Sequence, residues 1–330
     1  MAEIAELGDL PLESGETIRG YRQSYVTHGT LDAQRSNAIL VCISLTGTHR
    51  RLDFLIGPGR ALDPSRWFVI AADPIGNGLS TSPSNSESQP GMRFPRFVLR
   101  DMVAAQHRLL TRHLGIESLK AVVGASMGGM QALQWGVSHP RFMRSIVAMT
   151  PMAKTSPWAA LVTQTARACL MADPAWNGRG FDGVPERGWR AYAGLMGALM
   201  TRTPDAVERD ASNVSHAFED AVARQRTAHF DAHDYLYQSW AYEAHDIGTT
   251  PGFADTHAAL RSIAARALLL APALDLFNPA TCARDAAGPI PDGRFVEIPS
   301  VQGHQAATDR DPADAAFLNR TIAQFLEETP

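Results

Sequence analysis

The chain has 330 residues, of which 45% are hydrophobic and 19% charged, so it can bury a sizeable core and is not disordered. Lys and Arg number 30 and Asp and Glu 34, a formal net charge of -4, which excludes the basic excess expected of a nucleic-acid-binding protein. The first 18 residues are acidic and unlike a signal peptide, and no apolar run reaches the roughly 20 residues that span a bilayer. We therefore expect a soluble, cytoplasmic protein that binds neither nucleic acid nor membrane.

Short β-rich runs alternate with helical patterns over the first half of the chain, which is typical of a mostly parallel sheet covered by helices. The runs 38–44 and 120–124 are almost continuously apolar, so we expect them to be central strands buried on both faces. The other elements predicted in this half are strands at 22–27, 67–72 and 145–149 and a mostly helical segment at 95–114.

From about residue 152 to residue 259 the pattern changes to successive helical stretches rich in Ala, Met and Trp, without clear strand signals. Strand signals return at 267–271 and 294–298, and an amphipathic helix covers 313–326. We therefore predict an α/β protein with a discontinuous core domain, residues 1–151 and 260–330, and an inserted helical cap or lid domain, residues 152–259.

The sharpest local signal is Gly124-Ala125-Ser126-Met127-Gly128, which lies between an apolar run and a helical pattern. A GxSxG pattern between a strand and a helix is the nucleophile elbow, in which the Ser stands on a tight and strained turn. Side chains at the two glycines would crowd this turn, and the N-terminus of the helix favours negative charge that develops at the serine. Ser126 is therefore the predicted nucleophile.

A serine nucleophile needs a His base and a carboxylate that orients the base, in the chain order Ser, acid, His. Asp275 and His304 each follow a late strand-like run. Both are therefore expected at the carboxyl edge of the sheet, where such sites assemble. Asp234 and Asp246 are alternative acids, but both lie inside the helical insertion. We predict the triad Ser126, Asp275 and His304.

Acyl transfer also needs two backbone N–H donors aimed at the oxyanion of the tetrahedral intermediate. Met127, the residue after the nucleophile, supplies one, and we place the second at Leu45, although the loop 44–47 also fits a plain glycine-assisted turn. The glycine-rich run 73–80 has no GKS or GKT after it, so we interpret it as an architectural turn. The chain has neither CxxC nor HExxH spacing, so we predict no disulfide framework, no metal and no tightly bound cofactor.

Further motifs follow one another along nearly the whole chain. They are SLTGTH at 44–49, GPGRALD at 57–63, RDMVAAQ at 100–106, VVGASMGGMQALQW at 122–135, MADPAWNG at 171–178, FDAHDYLY at 230–237, DLFNP at 275–279 and GH at 303–304. This set resembles the homoserine O-acetyltransferases, a family of the α/β-hydrolase fold. The resemblance implies that fold, with helices on both faces of the sheet, and a helical cap that often forms a homodimer contact. It implies the same triad, with Leu45 and Met127 as the oxyanion hole.

The chain departs from that family in the predicted cap. Transferases of the family carry an Arg, within a stretch resembling ARMxGHxTY, that pairs with the carboxylate of the amino-acid substrate. The corresponding stretch 193–201 reads AGLMGALMT, so Gly194 stands in place of the Arg, and Trp240 stands where the family has another Arg. We therefore expect a more apolar acceptor side, with Thr46, Gly194 and Trp240 in the substrate pocket.

The predicted function is a serine hydrolase that cleaves short-acyl, acetyl-type carboxylic esters of small molecules through an acyl-enzyme intermediate. The alternative is an acyl-CoA-dependent O-acyltransferase with a hydroxyl acceptor, in which acetyl-CoA is a co-substrate and Arg190 or Arg202 replaces the missing cation. A noncatalytic binding protein of the same fold is a third interpretation. Loss of a triad residue type would favour it, and none is lost.

Overall fold

The computed structural model describes residues 2–210, 214–228 and 230–329, and within them the strands form a single sheet. The strands are β1 (Glu3–Pro11), β2 (Thr17–His28), β3 (Ala38–Cys42), β4 (Phe68–Ala72), β5 (Leu119–Ala125), β6 (Met143–Met149), β7 (Arg266–Pro272) and β8 (Gly293–Ile298). They lie in the order β1-β2-β4-β3-β5-β6-β7-β8. The pairs β1-β2 and β2-β4 are antiparallel and every other pair is parallel, which confirms the predicted mostly parallel sheet.

Helices pack on both faces of the sheet. They are α1 (Leu99–Arg108), α2 (Met127–Ser138), α3 (Pro157–Met171), α4 (Glu186–Tyr192), α5 (Pro204–Asp210), α6 (Val214–Ala228), α7 (Ala232–Glu243), α8 (Thr256–Arg261), α9 (Ala280–Ala287) and α10 (Pro312–Glu328). Segments Leu109–His113 and Ala193–Met200 are π-helical, and short 3-10 turns cover Asp53–Leu55, Gly91–Arg93, Ile247–Thr249 and Gly303–Ala307. None of the helices in the described ranges is both long and apolar enough to cross a membrane.

The predicted central strands β3 and β5 are buried along their whole length. Successive residues of a strand point to opposite faces, so neighbouring residues of β3 enter different cores. Leu40 packs in the core that contains Met102 of α1, whereas Ile39 packs in the core that contains Ile322 of α10. Burial on both faces explains why the sequences of β3 and β5 are almost continuously apolar.

Two details of the sheet differ from the sequence prediction. The strand β1 was missed because only alternate side chains are buried and because its register with β2 shifts around Gly8, which breaks the regular period. The predicted strand 38–44 ends at Cys42 instead, and residues 43 and 44 leave the sheet. That early end begins the loop that approaches the candidate nucleophile.

The segment between β6 and β7 carries α3 to α8, and in its described part no strand joins the sheet. Two of its segments are joined to each other by the antiparallel bridge between Lys154 and Asp246. Helix α8 continues to Arg261, two residues past the boundary expected at residue 259. The division into a core domain and a cap domain stays a prediction, and we call residues 152–261 the insertion below.

Candidate active site

Ser126 occupies a strained turn between β5 and α2. Its φ is 55° and its ψ is -123°, a region that residues other than glycine rarely adopt. The flanking glycines allow a close backbone approach: a Cβ at Gly124 would lie 2.2 Å from the carbonyl oxygen of Gly128, and one at Gly128 would lie 2.2 Å from that of Cys42. The predicted elbow is therefore present, and its geometry depends on both glycines.

The three residues of the predicted triad meet at the carboxyl edge of the sheet. His304 Nε2 lies 2.9 Å from Ser126 Oγ, and His304 Nδ1 lies 2.7 Å from Asp275 Oδ2. All three side chains are buried. An ionised carboxylate only accepts hydrogen bonds, so Nδ1–H donates to Asp275 and leaves Nε2 as the acceptor for the Ser126 hydroxyl. This tautomer is the one that a general base needs.

The loop after β7 holds Asp275 in place. Its Oδ1 accepts hydrogen bonds from the backbone N–H groups of Phe277 and Asn278, each at 2.9 Å. The Asn278 amide donates to the carbonyl oxygen of Thr150 at 2.7 Å, and its oxygen accepts from the Tyr242 hydroxyl of α7. The Phe277 ring packs edge-on against the His304 ring at 5.2 Å between centroids. The acid and the base are thus positioned by the same loop.

The two alternative acids do not meet His304. Asp234 accepts hydrogen bonds from Ser84 N and Oγ, and burial raises its pKa to about 7. Asp246 lies 3.0 Å from Lys154 Nζ and accepts from the backbone N–H of Gly248. Asp234 therefore connects α7 to the loop at Ser84, Asp246 connects two segments of the insertion, and Asp275 is the carboxylate beside His304.

The oxyanion loop, residues 44–47, is held from both sides. Ser44 Oγ donates to the carbonyl oxygen of Ala125 at 2.8 Å, and the N–H of Thr46 donates to Gln238 Oε1 at 3.1 Å. Thr46 has a φ of 59°, so this loop is strained like the elbow. Within the described residues no acceptor binds the Leu45 N–H, and Met127 stands at the first helical position of α2, where the N–H has no partner in the helix. These are the two donors predicted for an oxyanion.

The turn 73–80 supports the far end of this loop. Asp73 is fully buried and accepts hydrogen bonds from His49 N at 2.7 Å, His49 Nδ1 at 2.8 Å and Asn77 Nδ2 at 3.0 Å. The Asn77 amide also donates to the carbonyl oxygen of Gly47 at 3.2 Å. The turn that we interpreted as architectural thus fixes the segment that carries Leu45.

A cavity of about 630 Å³ opens over the triad. Its lining includes Ser126, His304 and two residues of the oxyanion loop, Leu45 and Thr46. From the insertion it receives Tyr192, Ala193, Met196, Gly197, Thr201, Ala221, Arg224 and Gln225. Of the three residues predicted for the pocket, Thr46 lines this cavity, and the other two do not.

The predictions for Gly194 and Trp240 were wrong. A Cβ at Gly194 would lie 2.6 Å from the Phe218 ring of α6, so this residue faces a helix contact. Gly197, three residues further along the same π-helical segment, lines the cavity instead. Trp240 packs against Tyr237 and under the Arg96 guanidinium, outside the cavity.

The more apolar acceptor side, expected in comparison with the transferases, stays a prediction, and charged residues line part of the cavity. Arg50, Arg51, Arg224 and Arg310 line the cavity, with Asp309 the single acidic residue among its described lining residues. The sequence signal was present for part of this set, because Arg50 and Arg51 directly follow the motif at 44–49 and Arg310 lies six residues after His304.

The two cations considered from the sequence do not serve this cavity. Arg190 lies 2.5 Å from Glu219 at its Nη2, and Arg202 lies 2.6 Å from Asp210. Neither is among the residues that line the cavity. Within the described residues, no cluster of His, Cys, Asp and Glu has the arrangement of a metal site.

The chain is similar to named proteins over nearly its whole length. A family described as alpha/beta hydrolase fold matches residues 38–300. A homoserine O-acetyltransferase of Nostoc punctiforme is 31% identical over 96% of this chain and 93% of its own. An ethyl acetate hydrolase of Pseudomonas veronii is 32% identical over 98% of this chain and 95% of its own. The crystal structure of an acetylester hydrolase from Corynebacterium glutamicum matches with a TM-score of 0.93 at 30% identity, covering 99% of this chain and 96% of that one.

Proposed function

Because the chain belongs to the homoserine O-acetyltransferase-like family of the α/β-hydrolase fold, we propose that it is a serine hydrolase that cleaves acetyl-type esters of small molecules with water. The observation that carries this proposal is the hydrogen-bonded chain from Ser126 Oγ through His304 to Asp275 on the wall of an open cavity. The names of the similar proteins from Pseudomonas veronii and Corynebacterium glutamicum support an acetyl ester as the substrate.

In the first half-reaction, Ser126 Oγ attacks the carbonyl carbon of the ester while its proton passes to His304 Nε2. The Asp275 carboxylate accepts the Nδ1–H and stabilises the imidazolium that forms. The N–H groups of Leu45 and Met127 bind the negative carbonyl oxygen. His304 then protonates the alcohol oxygen, the bond between carbon and that oxygen breaks, and the acetyl group stays on Ser126.

In the second half-reaction, water replaces the alcohol. His304 Nε2 takes a proton from the water as its oxygen attacks the acetyl carbon, and the same two N–H groups bind the oxyanion. The intermediate collapses, Ser126 Oγ takes back the proton from His304, and acetic acid leaves. No residue has to move between the two halves, since the same base serves both.

The alternative transferase shares the first half-reaction and replaces water by a hydroxyl acceptor. The similarity to the homoserine O-acetyltransferase of Nostoc punctiforme favours it, and so do the arginines of the cavity, which suit an anionic co-substrate such as acetyl-CoA. Against it stands the position of Arg190 and Arg202, the two cations considered as carboxylate anchors, since neither lines the cavity. The triad cannot separate the two reactions, because it performs the same proton transfers in both.

Product partition separates them. Purified protein is given ethyl acetate or acetyl-CoA, each with and without homoserine, and acetate, free coenzyme A and O-acetylhomoserine are quantified. We expect acetate from ethyl acetate at a rate that homoserine does not change, with acetyl-CoA spared. Release of coenzyme A only when homoserine is present, with accumulation of O-acetylhomoserine, would overturn the hydrolase assignment. The Ser126→Ala protein is the blank for both substrates.

We also propose the homodimer that the family resemblance implies. The insertion presents large apolar side chains to solvent, with exposed fractions of 46% for Trp158, 55% for Leu161, 66% for Val184 and 59% for Leu199. Exposed apolar patches often mark protein interfaces. Sedimentation velocity is expected to give a dimer, and a monomer at micromolar concentration would contradict this proposal.

A further inference from the structure

The cavity over the triad carries an excess of positive charge. Four arginines line it, Arg50, Arg51, Arg224 and Arg310, against one acidic residue, Asp309, among the described lining residues. We propose that the preferred substrate carries an anionic oxyacid group, a carboxylate or a phosphate, on the alcohol part of its acetyl ester. The alcohol part must carry the charge because an acetyl group has none. This inference rests on the proposed ester hydrolysis and adds the substrate class.

Arg51 brings one of these charges from the core side. It follows the oxyanion loop and donates from Nη1 to the carbonyl oxygen of Ala307 at 3.3 Å. That bond orients the guanidinium beside the loop that carries His304. Burial lowers the pKa of Arg51, with Asp309 acting in the opposite direction, yet an arginine stays protonated in proteins. Arg51 is therefore a fixed cation on the wall of the cavity that Ser126 also lines.

Arg310 brings a second charge, from the segment after the base. Its side chain is 26% exposed and its Nε lies 3.9 Å from Asp210 Oδ2, too far for a hydrogen bond. The Nε is buried and has no hydrogen-bond partner within the described residues. Asp210 already accepts from Arg202 at 2.6 Å, so Arg310 is only partly compensated by its nearest carboxylate.

Arg224 adds a charge from the insertion, on α6. Burial lowers its pKa first, and the charge of Arg310 lowers it further because the two guanidinium groups repel each other, while the charge of Asp220 acts in the opposite direction. Like charges held close in a partly dehydrated cavity raise the local potential and attract a counter-ion. An oxyacid group bound among them would relieve this repulsion and gain charge-assisted hydrogen bonds.

The three cations Arg51, Arg224 and Arg310 come from three separate elements that converge on one cavity. Arg50 is different, since it is 79% exposed and lies 3.6 Å from Asp53, where solvent screens its charge. Arginine forks bind carboxylate and phosphate groups in the plane of the guanidinium. Carboxylate and phosphate groups both accept such paired hydrogen bonds, so both anions are tested.

The test compares acetyl esters that differ in charge. The probes are 4-acetoxybutanoate, its uncharged methyl ester and 2-acetoxyethyl phosphate. We expect kcat/KM for the better anionic probe to exceed that for the methyl ester by about tenfold to a hundredfold. This factor corresponds to the free energy that hydrogen bonds to a charged group contribute to binding. Because the site is partly open to solvent, the preference should shrink with added salt. Equal kcat/KM for charged and uncharged probes would overturn the inference and leave ester hydrolysis standing.

Variants assign the effect to the cavity. Arg310→Gln and Arg51→Gln should each lower the ratio of anionic to neutral kcat/KM by about tenfold. The matched control Arg294→Gln removes a charge from an arginine that is 57% exposed and does not line the cavity, so its ratio should stay that of the wild type. Turnover of the methyl ester reports whether each variant is folded. An unchanged ratio in both cavity variants contradicts the proposal.

A binding measurement keeps the inference separate from catalysis. The Ser126→Ala protein is titrated calorimetrically with 4-acetoxybutanoate and with its methyl ester. Tighter binding of the charged ester supports the anion site even if no ester is hydrolysed, an outcome that would remove the proposed function alone. Equal or weaker binding of the charged ester, beside normal hydrolysis by the wild type, would remove the anion site alone.

Discussion

The carboxyl edge of the sheet and the insertion hold their functional residues in different ways. At the edge, Ser126, Asp275 and His304 each follow closely on the end of a strand and are only 4% to 6% exposed. In the insertion, the residues that face the cavity come from a π-helical turn and from α6. The position of each proposed catalytic group is thus set by a local strand end, whereas the lining of the cavity is set by packing between distant elements.

Helix α7 connects the two regions. Gln238 and Tyr242 are four residues apart and therefore lie on one face of this helix. Gln238 Oε1 accepts from the oxyanion loop at Thr46, and the Tyr242 hydroxyl donates to Asn278 in the loop of the acid. The insertion therefore does more than line the cavity, because one of its helices braces both halves of the catalytic edge.

The largest expected effect is at the nucleophile. Ser126→Ala removes the attacking oxygen, and turnover of an acetyl ester should fall by about 10⁴-fold or more, as for other serine nucleophiles. The thermal unfolding midpoint should not fall, because the substitution leaves the backbone of the elbow and its two glycines unchanged. Hydrolysis is followed by acid release in a pH-stat. A residual rate within tenfold of wild type, shown to be free of contaminating esterase, would remove Ser126 from this role.

The next effect is on the fold of the elbow. Gly128→Ala would place a Cβ 2.2 Å from the carbonyl oxygen of Cys42, and neither backbone can give way easily. We expect a loss of about 3 kcal/mol or more in the free energy of unfolding, measured with urea. Gly288→Ala is the matched control, since its φ is -58° and the nearest atom to its Cβ is 3.9 Å away. Equal stability of the two variants would mean that the elbow is not tightly packed.

The bracing role of α7 predicts a smaller, purely kinetic effect. Gln238→Met keeps the volume but removes the acceptor for the Thr46 N–H and the donor to the carbonyl oxygen of Ile75. A loosened oxyanion loop should lower kcat by about tenfold with little change in KM. The affinity for a trifluoromethyl ketone, which forms an oxyanion on binding, should fall in parallel.

The control for this variant is Gln134→Met. Gln134 is equally buried but donates to Ser138 and Thr250, neither of which belongs to the oxyanion loop. Its variant should lose stability without losing affinity for the ketone. If kcat falls in both variants, and only in proportion to the loss of stability, then α7 contributes to packing but does not position the oxyanion loop.

The smallest expected effect is on the pH dependence of stability, and it concerns His245, whose backbone carbonyl accepts from the N–H of Thr155. Burial lowers the pKa of His245 from 6.5 to about 4, so the unfolded chain binds a proton there that the folded protein does not. This contribution to stability is present above pH 6.5 and is lost as the pH falls toward 4. His245→Gln should therefore flatten the pH dependence of the free energy of unfolding by about one proton in that interval. An unchanged slope would show that His245 does not remain neutral in the folded protein.

The sequence was informative where structure is local. Ser126, Asp275 and His304 could be placed at one edge because parallel strands end together and each residue follows a strand-like run. The lining of the cavity could not be placed in the same way. Gly194 faces the Phe218 ring of α6, and Trp240 packs against Arg96 and Tyr237. Contacts with residues that are distant in the sequence, such as Phe218 and Arg96, leave no periodic signal.

The charge of the cavity escaped prediction for a related reason. Arg51, Arg224 and Arg310 are spread over more than half of the chain and converge only after folding. Gly194 and Trp240 occupy the two positions at which the resembling transferases carry an Arg. The structure supplies cations from other elements, so the loss of one Arg does not make the cavity neutral.

The most direct test of the central claim is a search for the acyl-enzyme by mass spectrometry. The protein is mixed with an activated acetyl ester such as p-nitrophenyl acetate, quenched with acid at intervals and digested. We predict one acetyl group on the peptide that contains Ser126, formed within the first turnover and lost in water without any added hydroxyl acceptor. No acetylated peptide, an acetyl group on another residue, or an acetyl-Ser126 that persists until an acceptor is added would contradict it.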